Sequence, residues 1–204
     1  MTLITILITI LVSIYGFQNK KLFDRLLLNP YHLIHKKEFY RVITHGFIHA
    51  DWTHLLVNMF VLFSFGKAME MYLGNLKNMD YIHSIQFQFI LLYLGGIIVS
   101  SIPSIIKHRN DSWYNSLGAS GGVSSVVFAS IFFDPLNIIY LYFIPIPGII
   151  FGILYLIYSQ YMSKRNKDNV NHEAHFTGAV FGFVYPLIIH PGLIKLFLSQ
   201  LHLL

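Results

Sequence analysis

The chain has 204 residues, of which 55% are hydrophobic and 11% charged, with a mean hydropathy of +0.59. A soluble domain carries about 25% charged residues, so the composition excludes an ordinary water-soluble fold and points to a membrane protein. The formal charge of +5 would suit nucleic acid in a soluble chain, but here it reflects basic residues at lipid headgroups, and no nucleic-acid partner is expected. Cysteine is absent, which excludes disulfides and thiol catalysis.

Six apolar stretches can be marked, at about 2–17, 55–74, 85–106, 116–133, 136–161 and 174–190. Each crossing needs ~20 residues, so six leave room for loops and little else. The expected fold is an all-α membrane bundle of six transmembrane helices in one domain, 1–204. The first stretch lacks the basic n-region and small-x-small site of a signal peptide and reads as a retained span. Residues 18–54 form the longest connection. Leu22, Phe23, Leu26, Leu27 and Leu28 alternate there with Lys20, Lys21, Asp24 and Arg25, which suits a helix lying in the interface, broken by Asn29-Pro30. Tyr40 and Trp52 suit the aromatic belt at the membrane surface.

His54 and Asn58 are four apart and share a helix face one turn into the second span. An imidazole and a carboxamide cost several kcal/mol in hydrocarbon without partners, so they are functional candidates, with an interhelical hydrogen bond as the plain alternative. Glu70 near the end of this span is expected at the far headgroup level, capping or pairing. His45 and His49 stand at i, i+4 as in a zinc protease helix, but Gly46 replaces the glutamate base of H-E-x-x-H. No metal is expected. The third span, with Gly95-Gly96, Ser100-Ser101 and Pro103, reads as kinked and closely packed. The fifth is bent or unwound at Pro145-Ile146-Pro147-Gly148, and residues 164–171 are a polar loop.

The fourth span opens on Ser116 to Ser125, in which eight of ten residues are Gly, Ala or Ser. Small residues let helix backbones approach closely in lipid. At helical spacing Gly118, Gly122, Ser125 and Ala129 share a face, with Ser120 beside it. The sixth span repeats the theme: Gly178 and Gly182 form a G-x-x-x-G face, with His175 one turn earlier. Ser120 and His175 each lie near the start of their spans, and with one span between them both starts are on the same side of the membrane. A serine–imidazole hydrogen bond needs ~2.6–3.2 Å, which only closely packed backbones permit between two helices.

These motifs resemble those of the rhomboid intramembrane serine proteases in their compact six-span bacterial form. Gly118-Ala119-Ser120-Gly121 matches G-x-S-G. Ala174-His175-Phe176-Thr177-Gly178 with Gly182 matches A-H-x-x-G-x-x-x-G. His54 with Asn58 matches H-x-x-x-N, with His49 upstream, and Tyr40-Arg41 stands where the family often has Trp-Arg. Glu70 and Gly74 also fall in register. The resemblance implies a Ser120–His175 dyad cutting single-span membrane proteins among membrane lipids, with no cofactor. His54, Asn58 and the Ser120 backbone N–H would hold the oxyanion, and Gly118, Gly121, Gly122, Gly178 and Gly182 would support the packing. One departure stands out: many members carry a tyrosine four residues after the nucleophile, stacked on the histidine. Here that position is Ser124, so Phe128 or another aromatic must orient His175. The alternative is an inactive family member that binds membrane proteins without cutting them.

Two arguments about orientation conflict. Loops before the second, fourth and sixth spans carry eleven basic residues, Lys20 to Lys167, against Lys67, Lys77 and Lys195 on the other side. Counted alone, these place the site in the cytoplasm. The resemblance implies a bacterial inner membrane with the site opening outward, and the expectation follows the resemblance.

Overall fold

The computed structural model describes residues 1–141, 143–165 and 170–203, so residues 166–169 of the polar loop, Lys167 among them, lie outside the described residues. The chain is mostly helical: α1 (Thr2–Gln18), α2 (Lys20–Leu26), α3 (Pro30–His35), α4 (Arg41–Thr44), α5 (Trp52–Asn78), α6 (Ile85–Lys107), α7 (Ser120–Phe133), α8 (Gly148–Arg165), α9 (His172–Ile189) and α10 (Leu193–Gln200). A hairpin of β1 (Ile138–Leu141) and β2 (Ile144–Pro147) stands between α7 and α8. Helices α5 and α6 are long and apolar enough to cross a membrane, and α1 and α7 are shorter apolar helices.

Local chemistry sets the boundaries. Side chains of Asp51, Ser84 and Asn171 accept from the backbone N–H groups of His54, Phe87 and Ala174, capping α5, α6 and α9. Asn29-Pro30 starts a helix as well as ending one. Asn29 Oδ1 accepts from His32 N at 2.8 Å, and Pro30 holds the first helical position, where its missing N–H costs nothing. The expected short helix before Asn29-Pro30 is α2, and the structure adds a second short helix, α3, after it. The fifth apolar stretch is also corrected. Pro145 and Pro147 deny the chain a helical ladder, and residues 138–147 pair antiparallel in the register Ile138↔Pro147 to Leu141↔Ile144, so α8 begins only at Gly148. Helix α10 lies beyond the last marked stretch; its Phe197 stacks on Phe132 at 5.2 Å.

Helix α7 is the core. Every residue from Gly121 to Phe133 is buried, packed among α5, α6 and α9, with Leu62, Leu92, Val126, Phe132 and Ala179 at its centre. Two of its faces are stripped of side chains. Toward α9, a Cβ on Gly178 would lie 3.1 Å from the carbonyl carbon of Gly121, and one on Gly182 would lie 2.5 Å from Ser125 Cα. Toward α6, a Cβ on Gly122 would lie 2.9 Å from the Tyr93 carbonyl oxygen, and one on Gly96 would lie 2.7 Å from Ser125 Cβ. The expected small-residue face is thus redistributed. Gly118 precedes the helix; the bare sides of Gly121 and Gly122 both face α6, a Cβ on Gly121 lying 2.5 Å from Ser100 Cβ, and the Gly121 and Ser125 backbones meet Gly178 and Gly182 of α9. Glu70 accepts from Thr2 N at 2.8 Å, pairs with Lys67 at 3.5 Å and meets the Met1 ammonium, so of the expected capping or pairing it pairs.

Gly178→Val drives a branched side chain into backbone that cannot move aside, where overpacking costs roughly 1–3 kcal/mol. Thermal unfolding in detergent should show a clear drop in Tm. The control Gly74→Ala, whose Cβ would meet nothing nearer than Ile85 at 3.9 Å, should leave Tm unchanged.

Candidate active site

Residues 116–119 are held by the long first connection. Ser116 and Leu28 exchange backbone hydrogen bonds, both 3.0 Å, and Gly118 N–H donates to the His45 carbonyl at 2.9 Å. Gly118 has φ +115°, a conformation open to glycine. A Cβ there would also stand 2.8 Å from His54 Cε1, so the His54 ring lies directly against this turn. Ala119 N–H points at His49 Nε2 at a long 3.4 Å. That role makes Nε2 the acceptor and puts the proton on Nδ1, which faces Ser13 Oγ at 3.0 Å; Ser13 in turn donates to the Phe47 carbonyl at 2.9 Å. The connection is knotted by Arg41, which donates to Glu38 Oε2 (2.6 Å) and to the carbonyls of Asp24 (3.0 Å) and Leu27 (2.7 Å). His45 Nδ1 donates to the Arg41 carbonyl at 2.9 Å. His45 and His49 thus take structural partners on either side of the turn that leads to Ser120.

Ser120 is the first residue of α7, so its N–H belongs to the first turn, which has no intrahelical partner and sits at the positive end of the helix dipole. His175 lies in the first turn of α9, its N–H bonded to the Asn171 carbonyl at 3.2 Å. Asn171 fixes that turn to the serine loop: beyond capping α9, its Nδ2 reaches Ser104 Oγ (2.9 Å), Tyr114 OH (3.3 Å) and Ser116 Oγ (3.3 Å).

Ser120, His175, His54 and Asn58 all line one groove of about 1200 Å3 that opens between α5 and α8. Asn58 Nδ2 donates to the His54 carbonyl at 2.9 Å, which leaves its second N–H for the groove. The ring of Tyr155, from α8, lies nearly parallel to His175, with an interplanar angle of 17° and centroids 6.4 Å apart. Its hydroxyl meets Ser124 Oγ at 2.9 Å. Of the two expected possibilities, Phe128 or another aromatic, it is another that lies beside His175, and Phe128 packs on Tyr155 at 5.5 Å and backs it. Sequence reasoning missed Tyr155, Asn171 and the anchoring roles of His45 and His49. The one usable signal was Ser124, too small for the tyrosine expected there. Nothing local shows that the ring returns 31 residues later.

Residues 36–192 match the family model of the Rhomboid domain, most of the chain's length, and the chain belongs to that family. It is 30% identical over 155 residues to RHOMBOID-like protein 12, mitochondrial, of Arabidopsis thaliana, covering 68% of this chain and 43% of that protein. It is 29% identical over 154 residues to the putative rhomboid protease YdcA of Bacillus subtilis (strain 168), covering 72% and 65%. Presenilin-associated rhomboid-like protein A, mitochondrial, of Danio rerio is 28% identical over 151 residues, covering 71% and 36%. The chain spans between about a third and two thirds of the length of these relatives.

Two outcomes are expected. On the expectation of a Ser120–His175 dyad, Tyr155→Ala removes the parallel ring beside His175 and should slow labelling of Ser120 by a fluorophosphonate roughly 10- to 100-fold, within the range that small misplacements cost, whereas Tyr155→Phe keeps the ring and should cost only a few-fold. The second concerns acid. Burial pushes His45 from its ordinary 6.5 down to about 4 and His49 down to about 3, the latter also through its neighbour His54; both lie in the connection before α5. The unfolded chain takes up these protons near pH 6.5 and the folded chain does not, so the unfolded state binds more protons below 6.5. Stability should therefore be full above about pH 6.5 and fall as pH drops toward 4 and 3. His49→Gln should flatten the slope of Tm against pH.

Proposed function

We propose that the chain is an intramembrane serine endopeptidase that cuts single-span membrane proteins within or near their membrane segment. The observation that carries this reading is the placement of Ser120 and His175 in the first turns of two helices whose backbones touch, on the wall of one groove. His175 takes the Ser120 proton as Oγ attacks the scissile carbonyl, and then protonates the leaving amine. It next activates the water that releases the acyl group. The oxyanion is held by the Ser120 N–H, at the positive end of α7, together with His54 and the free N–H of Asn58. Gly121, Gly122, Gly178 and Gly182 keep the backbones close enough for these contacts, and Gly118 makes the turn that leads into α7. No metal or cofactor enters this chemistry. Names among the relatives include a putative rhomboid protease, which favours the same reading.

In this reading residues 1–204 form one domain in which α1, α5, α6, α7, α8 and α9 are six spans. The mouth of the groove is on the side of the α1–α5, α6–α7 and α8–α9 connections. We place that side outside the cytoplasm of a bacterial cell, against the raw count of basic residues, because the first connection is held to the protein by Arg41 and short helices and is no free tether.

Ser120→Ala and His175→Ala should each leave a folded protein that no longer cuts a model spanning substrate, with the double variant no worse than either single one. Asn58→Ala should lower kcat by roughly 10- to 1,000-fold. Continued cutting by Ser120→Ala would remove the serine mechanism, and no cutting or fluorophosphonate labelling by the native chain would favour the inactive, substrate-holding alternative. For orientation, single cysteines at Asn110 and Asn78 in intact cells should respectively react with, and be spared by, an impermeant maleimide. The reverse pattern would put the site in the cytoplasm.

A further inference from the structure

The hairpin β1–β2 has no part in the chemistry above, yet it borders the same groove. No charged residue occurs from Pro135 to Ser163. Ile139, Tyr140 and Leu141 line the groove together with Val61, Ser64 and Phe65 of α5. The far face of the bundle is marked by charge: Glu70 with Lys67 and the Met1 ammonium, and Asp134, whose carboxylate accepts from Tyr72 OH at 3.4 Å. Phe65 and Val61 lie five and nine residues before Glu70, or about 7 and 13 Å along the helix axis. The chain therefore leaves Asp134 at the far face and turns back into the apolar layer, instead of running out to water.

Two further features agree. Tyr140, Phe143 and Ile144 are 70%, 94% and 63% exposed, an apolar surface suited to lipid or an apolar partner and costly in water. Pro145 and Pro147 pair with Tyr140 and Ile138 and have no N–H, so at both positions the outer edge of β2 presents no unmet donor. An edge immersed in hydrocarbon needs that saving, because no water is there to satisfy a free N–H.

We propose that the β1–β2 hairpin is a re-entrant element that forms the floor of the groove and grips the membrane-embedded end of the substrate's helix. This rests on the protease reading of the site. The groove is continuous from Ser120 to the hairpin, and the floor is uncharged, so the occupant it fits is an apolar helix. Val61 and Phe65 lie seven and eleven residues beyond His54, which packs on the serine turn. A helical substrate would thus meet the floor about 7–11 residues past its scissile bond, with large apolar side chains there.

The test compares two substrates with the same cleavage region, one carrying a full apolar span past the cut and one truncated about five residues beyond it. Tyr140→Asn should raise KM about tenfold for the full span, leave the truncated substrate unchanged, and leave fluorophosphonate labelling of Ser120 at the native rate. An equal effect on both substrates, or none on the full span, would overturn the floor. A photoreactive benzoylphenylalanine at Leu141, which lines the groove and is 45% exposed, gives a second reading that needs no turnover. Crosslinks to the full-span peptide support the proposal, and crosslinks to lipid alone sink it. If the native protein neither labels nor cuts, the protease reading fails separately, and the crosslinking arm still decides whether the floor holds a helix.

Discussion

The contact on which the other features depend is the near-touching of the α7 and α9 backbones at Gly121, Gly178, Ser125 and Gly182. Lipid provides no hydrophobic force to bring two apolar helices together, so association comes from packing and polar contacts, and glycine is what allows packing at this range. The same device repeats toward α6 through Gly122 and Gly96. With both faces bare, α7 can be buried along nearly its whole length, and its first turn is brought beside the first turn of α9. Every polar group of the candidate site is then placed by a helix end and not by a free loop.

The first connection acts as the outer frame of that arrangement. Arg41 closes it with three hydrogen bonds, His45 and Leu28 bond the serine loop backbone, and His49 faces Ala119. These ties converge on a turn that one glycine, with positive φ, makes possible. Asn171 repeats the logic from the α9 side. The groove between α5 and α8 is by contrast open and largely apolar. The candidate residues thus stand on a wall tied down by hydrogen bonds, and that wall faces an open, largely apolar groove.

The Tyr155–Ser124 pair shows how one requirement can be met by different residues. A parallel ring beside His175 limits the tilt of the imidazole. With serine at position 124 the ring comes from α8, and the serine hydroxyl becomes the hydrogen-bond partner that holds it. Volume missing from α7 is filled from the neighbouring helix, with Phe128 packed behind.

By itself the sequence determined the class of fold and the chemistry on offer. Low charge and long apolar runs demand a bundle in lipid, and the spacing of Ser120, His175, His54, Asn58 and the glycines on their helices follows from the 3.6-residue period. These are local or compositional properties, legible without knowing what packs on what. Tertiary structure alone decided which small-residue face meets which neighbour, that Gly118 lies before the helix and not on it, and that Asn29-Pro30 opens a helix. It also decided that two prolines make a hairpin where a bent or locally unwound helix was expected, and that Tyr155 and Asn171 reach the site. Each depends on partners far apart in the chain, and such pairings are chosen by the summed packing of whole helices, which no local window contains.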